Sequence, residues 1–292
     1  MLSREPSLSC SVVIPAYNEA GTVGTTLECL MRGAWHDEFE VIVVCNGCID
    51  NTTNVARDAA PEAQILDLKT ASKTAALNAG VAAANHSTIV LLDADIKTSA
   101  NAVRMLIKSM KSHDADLAYG NAHFNTKSSS WLVRAFYQVW FQNPYFDRHK
   151  VGGFLALSLS GLDRLGKFPE TTNDDEYVRR KLMQNSVFVQ AAYYVVEAPR
   201  VLSSLMKVRS RVYRGNAELS DVDAGLDTHH RLRNGVNFLN RIFVRPNLWV
   251  GAVVFALVAV AARLRNYFLN KDAARWEQDL SARSHVPSVN EQ

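Results

Sequence analysis

Cys10-Ser-Val-Val-Ile-Pro-Ala-Tyr-Asn-Glu19 decides the fold. A short apolar strand, Cys10 to Ile14, runs directly into a kinked polar turn, Pro15 to Glu19, and helical texture follows from Glu19 to Arg32. The unit then repeats. Phe39 to Val44 reads as a second strand ending in Cys45-Asn-Gly-Cys-Ile-Asp50, and Asn51 to Ala59 as a helix opened by Asp50 as N-cap. Gln64 to Leu68 is a short third strand, Lys73 to Ala84 an alanine-rich helix, and Thr88 to Leu92 a fully buried fourth strand. Short apolar runs alternating with helical segments are the pattern of βαβ units and a mainly parallel sheet. Open sheets of this kind bind ligands beyond the carboxyl ends of their strands, where these polar turns fall.

The chain of 292 residues is long enough for one large α/β domain with an appendage. Apolar residues at 48% and charged residues at 21% describe a globular chain, and a formal charge of +3 argues against nucleic acid as a partner. All four cysteines lie in the first 48 residues, which is not the distribution of a disulfide-stapled secreted fold. Met1 to Cys10 carries no apolar run, so the reading expects no cleaved signal peptide and a cytoplasmic location.

Beyond the fourth strand the texture changes. Trp131, Phe136, Tyr137, Trp140, Phe141, Tyr145 and Phe146 crowd into 16 positions, a density that reads as packing under the sheet before it reads as a ligand surface. Asp174 to Leu182 opens an amphipathic helix. Pro246 to Ala262 is an uncharged run of 17 residues, about 25 Å of helix against a hydrocarbon core of roughly 30 Å, flanked by Arg241 and Arg245 before it and Arg263, Arg265 and Lys271 after it. It reads as a membrane-spanning or half-embedded helix. A buried soluble helix is the competing reading. In the tail, Arg275 to Leu280 has the texture of an interfacial helix.

The buried strand Thr88 to Leu92 ends in Asp93-Ala-Asp95. Two carboxylates where an apolar strand leaves the core are costly unless a cation or hydrogen bonds compensate, and Mg²⁺ or Mn²⁺ would suit them, completing its shell with diphosphate oxygens and water. Neither Gly-x-Gly-x-x-Gly nor Gly-x-x-x-x-Gly-Lys-Ser/Thr is present, which removes the main support for a dinucleotide-binding or phosphate-loop enzyme. Cys45-x-x-Cys48 lacks a second ligand pair for zinc, and the two cysteines read as small apolar residues framing Asn46.

Val12 to Glu19, Val43 to Thr52, Lys73-Thr-Ala-Ala-Leu-Asn-Ala-Gly80 and Leu91-Leu-Asp-Ala-Asp95 resemble, in order, the nucleotide-sugar-binding motifs of family 2 inverting glycosyltransferases. The resemblance covers Ser9 to about Gly215. It implies an α/β fold of the GT-A type, a mainly parallel Rossmann-like sheet flanked by helices, here with a C-terminal hydrophobic helix. It further implies Asp95 as metal ligand with Asp93 as its partner, Lys73 in the donor pocket, and Pro15, Tyr17 and Glu19 along the base and ribose site. Asn46 stands where family members often carry an Asp that contacts the base; an amide both donates and accepts. Asp50 matches the later acidic position of that loop.

On the acceptor side, Gly152-Gly153-Phe154 resembles the family's glycine-containing loop, and Phe168-Pro-Glu170 with Asp174-Asp175-Glu176 the segment of the catalytic base. The reading takes Asp175 as base and Asp174 as the alternative, on the expectation that clustered acids raise the pKa of at least one. Arg211 and Arg214, in Arg209 to Gly215, would balance the diphosphate charge; the Gln and Trp of processive synthases are missing there. The boundaries expected are a glycosyltransferase domain over 1–215 (donor half 9–125, acceptor half 126–215), a connecting helical segment over 216–245, a membrane-associated helix over 246–270 and a polar tail over 271–292. The implied function is metal-dependent transfer of a sugar from a nucleotide diphosphate sugar to a saccharide or polyprenyl-phosphate acceptor, at the cytoplasmic face of the membrane and in contact with its lipid. The alternatives are a non-catalytic nucleotide-sugar-binding or scaffold protein and, further off, a sugar-phosphate nucleotidyltransferase.

Overall fold

The computed structural model describes residues 9–148, 150–218 and 228–268. The tail from 269, with its expected interfacial helix, and the stretch 219–227 of the expected connector lie outside them. The described residues fall into two compact units, the first within Met1–His123, Val151–Glu170 and Asp174–Val196, the second within Phe124–Lys150, Thr171–Asn173 and Glu197–Gln292.

The first unit is built on a sheet of order β3-β2-β1-β4-β7-β6-β8-β5. Its strands are β1 Cys10–Ala16, β2 Phe39–Asn46, β3 Gln64–Leu68, β4 Ile89–Leu92, β5 Ile96–Lys97, β6 Leu117–Asn125, β7 Phe154–Leu157 and β8 Ser186–Glu197. β3, β2, β1 and β4 pair in parallel, as the strand-turn repeat requires, while β7 joins β4 antiparallel and β6 joins β7 antiparallel. Every residue of β1 and β4 is buried, because helices cover both faces of a parallel sheet.

Sequence order runs outward from β1 through β2 to β3 and then restarts at β4 on the other side, so the topological switch point lies between β1 and β4. β1 extends past the expected strand end at Ile14. Its ladder with β4 stops at Val13, paired with Leu91, but continues beside β2 through Pro15 and Ala16, paired with Val44 and Cys45. Pro15 is therefore strand rather than turn, tolerated because the β4 side has no ladder left at that point. The divergence of β1 from β4 opens a crevice at their carboxyl ends.

Helices α1 Val23–Met31, α2 Thr52–Ala59, α3 Lys73–Ala83 and α4 Ala100–Ser112 flank these strands. Val103, Leu106, Ile107 and Met110 of α4 recur at helical spacing and are all buried in the sheet's core. Ser72 caps α3, its Oγ accepting from the Ala75 N–H at 3.2 Å. Gly80 lets α3 lie flush on the sheet: a Cβ there would stand 2.3 Å from Val13 Cγ1 and 3.2 Å from Val44 Cγ2. α6 Leu159–Leu165 and α7 Asp174–Leu182 complete this unit.

The second unit contains α5 Trp131–Trp140, α8 Leu202–Glu218, α9 Thr228–Phe243 and α10 Trp249–Phe268. The aromatic run packs, but against helices and not under the sheet as expected: Phe136 and Tyr137 are buried with Leu205 of α8 and Val254 and Val258 of α10, and Trp131 stays exposed. We expect Gly80→Ala to destabilise the protein by about 1–3 kcal/mol through overpacking. Urea midpoints of the two proteins check it, and an unchanged midpoint would contradict the close approach.

Candidate active site

Two helix N-termini meet at the switch point. Lys73, the first residue of α3, places its Nζ 2.7 Å from Asp93 Oδ1 and 2.9 Å from Asp174 Oδ2. A cation in the first turn of a helix opposes the macrodipole, so this lysine is stabilised by its carboxylate partners and not by its own helix. Burial pulls its pKa down, but Asp174, Asp93 and Asp175 outweigh burial and hold it well above 10.5. Asp93, Lys73 and Asp174 thus form one charge array, with Asp175 near enough to act on the same ammonium.

The turn that carries Asp93 and Asp95 is fixed on three sides. Asp93 N–H donates to Gly153 C=O at 2.8 Å, Ile96 N–H to Asp93 C=O at 3.2 Å, and Thr26 Oγ1 to Ala94 C=O at 2.8 Å. Gly153 is required there: a Cβ would stand 2.1 Å from Asp93 Oδ2. Gly152 precedes it in the same loop, leading into β7. The two carboxylates offer only oxygen donors, both half-buried, at positions i and i+2 of a rigid turn. That donor set fits a hard divalent ion that takes one or two carboxylates and fills its shell with phosphate oxygens and water. Among the described residues no group of three or more His, Cys, Asp or Glu side chains could hold a metal, so the bound phosphates would have to supply the rest.

α7 begins at Asp174, as expected, with Asp174, Asp175 and Glu176 in its first turn, where acids complement the dipole. The expectation that clustering raises a carboxyl pKa fails for Glu176. Despite burial, Arg179, in two bonds of 2.6 Å, and Arg180, at 2.9 Å, hold that pKa below the ordinary value. Glu176 is thus tied into its own helix by two arginines.

Asn78 was not singled out in the sequence, although it lies within the third motif. Its Nδ2 donates to Phe168 C=O at 3.0 Å and its Oδ1 accepts from Phe168 N–H at 2.9 Å, a two-bond amide clamp from α3 to the segment leading into α7. This fixes the distance over which Lys73 reaches Asp174. The partner is 90 residues away, so no local pattern announces the contact.

A second group of residues gathers at the ends of β1 and β2. Asn46 is 1% exposed, and its Nδ2 donates to Ala16 C=O at 2.8 Å. Its Oδ1 is buried with no hydrogen-bond partner. The amide nitrogen also donates to Val44 C=O of β2 at 3.4 Å, so both of its N–H groups face the strands and the Oδ1 is left as a buried acceptor. Asp50 is not the residue immediately before α2, which is Asn51, yet its Oδ1 accepts from Thr52 N–H at 3.1 Å and from the Thr52 hydroxyl, and its Oδ2 from Ala20 N–H at 3.1 Å. Glu19 N–H donates to Thr52 Oγ1 at 2.7 Å and Glu19 Oε2 accepts from Thr22 Oγ1 at 2.7 Å. Tyr17 is half-buried beside them. Asp50 and Glu19 thus tie the two loops together.

The cysteines framing Asn46 are more than small apolar residues. The hydrogen bond from Cys45 lowers the Cys48 thiol to about 6, against the opposing effect of burial, with the Asn18 N–H, 3.4 Å from its Sγ, adding to the lowering. Arg211 and Arg214 belong to α8 in the second unit. Arg209 on the same helix, not singled out, lies 5.4 Å from the Trp140 ring centroid and 5.2 Å from that of Tyr213.

The model of glycosyl transferase family 2 matches residues 11–164. The chain belongs to that family. Glycosyltransferase AglD of Haloferax volcanii is 31% identical over 163 residues, 53% of this chain and 23% of that protein. Dolichyl-phosphate beta-glucosyltransferase of Drosophila melanogaster is 34% identical over 107 residues, 32% of this chain and 33% of its own. The chain thus spans about a quarter to a third of these two relatives. Among solved structures, mannosyltransferase PcManGT from Pyrobaculum calidifontis, in complex with GDP-Man and Mn²⁺, superposes with a TM-score of 0.61 at 17% identity, covering 91% of this chain and 88% of that one. Glucosyl-3-phosphoglycerate synthase from Mycobacterium tuberculosis, with Mn²⁺ and UDP-glucose, gives 0.54 at 19% identity, covering 75% and 82%. At these identities the likeness establishes the fold, and it is the GT-A fold that the motifs imply.

A lysine whose pKa is raised on folding stabilises the native state fully below its unfolded pKa near 10.5 and loses that contribution as pH climbs through the higher folded value. Lys73→Met should cost about 2–3 kcal/mol at neutral pH, because it leaves Asp93 and Asp174 facing each other uncompensated. It should also flatten the loss of stability above about pH 10.5. Urea melts of both proteins from neutral pH to about pH 11 check both effects; parallel curves would refute the assignment.

Proposed function

We propose that the protein transfers a sugar from a nucleotide diphosphate sugar to an acceptor hydroxyl or phosphate with inversion at the anomeric carbon. The observation that carries the proposal is the Asp93–Lys73–Asp174 array at the switch point of a family 2 sheet. It puts donor-side and acceptor-side carboxylates around one ammonium, at the crevice where open α/β sheets bind ligands.

Asp95, with Asp93, would hold Mg²⁺ or Mn²⁺ against the diphosphate, and the ion, when bound, supplies charge compensation for the leaving nucleoside diphosphate. The Mn²⁺ in the two structural neighbours supports this. Lys73 holds Asp93 in place and adds positive charge beside the phosphates. Asn46 Oδ1 accepts from an N–H on the base edge, while Pro15, Tyr17, Glu19 and Asp50 shape the base and ribose site. Asp175 takes the proton of an acceptor hydroxyl as its oxygen attacks opposite the leaving group, with Asp174 held by Lys73 as its neighbour. Gly152 and Gly153 keep the acceptor loop close to the carboxylates. Arg211 and Arg214 are proposed to meet the departing diphosphate.

The acceptor proposed is a lipid-linked or cell-envelope saccharide, or a polyprenyl phosphate, met at the cytoplasmic face of the membrane. Two observations support it: the dolichyl-phosphate-using relative, and Pro246–Phe268, a helix long and apolar enough to cross a bilayer.

Calorimetric titration with UDP, GDP, CDP and dTDP, with and without Mn²⁺, tests the donor site. One nucleotide should bind only with metal, and Asp95→Ala should abolish that binding; no binding by the wild-type chain would overturn the proposal. Asp175→Asn should lower kcat by about 10²–10⁴-fold, the usual contribution of a general base, while donor binding persists. Turnover of the donor with a saccharide acceptor panel measures the former and calorimetry the latter. Retained turnover would assign the base to Asp174.

A further inference from the structure

Within the second unit, α10 has two unlike faces. Gly251, Val254, Val258, Ala259 and Ala262 are buried against the unit's own helices. Gly251 sits where a Cβ would be 2.7 Å from Ala135 C=O of α5. The contact is polar toward the carboxyl end: Asn266 bonds with both the Ser210 hydroxyl and, at 2.8 Å, the Ser210 C=O of α8, and the Arg263 guanidinium stands 4.4 Å from the Tyr213 ring centroid.

The opposite face is apolar and uncovered. Val250, Val253, Leu257, Val260, Leu264 and Tyr267 recur every three or four residues, with Trp249 beside the first of them, and each of the seven is at least 51% exposed. This stripe is one side of a helix about 30 Å long. Val236, Leu239 and Phe243 add exposed apolar residues on α9. An apolar slot of about 200 Å³ between α5, α8 and α10, lined by Leu132, Leu202, Met206, Val254 and Leu257 among others, includes Leu257 of that stripe and so adjoins it.

The charge around this surface names what covers it. From Thr228 to Phe268 the sequence holds six arginines and no acidic residue. Aromatic Trp249 and Tyr267 stand at the two ends of the stripe, as they do at membrane interfaces. A spanning α10 would have to take α5 and α8 into the bilayer with it, and α8 carries Lys207, Arg209, Arg211 and Arg214, which are costly at membrane depth.

We propose that α10 lies in the plane of an anionic bilayer surface, its Trp249-to-Tyr267 stripe immersed, its arginines at headgroup level and the slot beside Leu257 filled by a lipid chain. Immersion of one face by roughly 5–10 Å is the depth such helices reach. The inference deepens the membrane association proposed above and needs neither the metal nor the catalytic base.

The full chain is mixed with vesicles of phosphatidylcholine containing phosphatidylglycerol, or of phosphatidylcholine alone, and floated on a density gradient. It should float with the anionic vesicles, float less in high salt, and lose at least about tenfold in membrane affinity in Val253→Asp/Leu257→Asp, since each change removes a buried apolar side chain. Both positions are exposed, so the double variant should keep its thermal midpoint and its nucleotide binding, which separates failure here from failure of the transferase reading. In inside-out membrane vesicles from expressing cells, terminal tags on both ends should be cut by added protease. Protection of one tag would mean a spanning helix and overturn the proposal. So would undiminished flotation of the double variant, or a lipid-free dimer that the same substitutions dissociate.

Discussion

One ammonium group holds the catalytic end of this molecule together. Lys73 sits at the start of α3, where a positive charge is unfavourable, and is kept there by Asp93 from the end of β4 and Asp174 from the start of α7. Three elements far apart in sequence share this point. Each carboxylate is itself steered: Asp93 by the backbone of Gly153, Asp174 by the helix that opens with it and by the Asn78 clamp just upstream. The array thus doubles as a structural joint between donor-side and acceptor-side elements of the first unit. A charge that costs stability where it stands, and is balanced only by the residues it must organise, is a common arrangement at functional sites.

Much of this was legible in the sequence because it rests on local pattern. β3 has the limits that its apolar run foretold, α7 begins at the expected Asp174, and the four ordered motifs lie at the strand ends and helix starts that bound the crevice. What escaped the sequence depends on partners far along the chain. Pro15 argued for a turn, yet it continues a strand, since only the three-dimensional ladder reveals that β4 has already left. The order of β7, β6, β8 and β5 is set by pairings between segments far apart in the chain, which no local pattern announces, even though β6 and β8 are the longest strands of the sheet. Asn78 was invisible for the same reason, its clamp closing over 90 residues. At Glu176 a nearer effect decides: Arg179 and Arg180, at i+3 and i+4, outweigh the neighbouring acids.

The end of β2 shows how one substitution within a family pattern changes the chemistry on offer. With its donor held by Ala16, Asn46 keeps one neutral, buried acceptor where a carboxylate would present charge. A neutral buried acceptor without a partner carries a desolvation cost that a donor N–H would relieve. The adjoining Cys48 Sγ lies within 3.4 Å of both Ala16 C=O and the Asn18 N–H and puts a polarisable group beside the same loop.

Leu92 pairs with Phe154 across a chain excursion of some sixty residues, and the Asp93 carboxylate rests against Gly153 where that excursion returns. The parallel strands β1 to β3 assemble from neighbouring βαβ units and need none of it. Closing so long a loop is entropically slow, and contacts of high sequence separation form late in folding. By the same reasoning the four parallel strands precede β7, and half of the eight-stranded sheet can pair before the Asp93 carboxylate is fixed. The position of that carboxylate is thus set by the returning strand and not only by the strand that carries it.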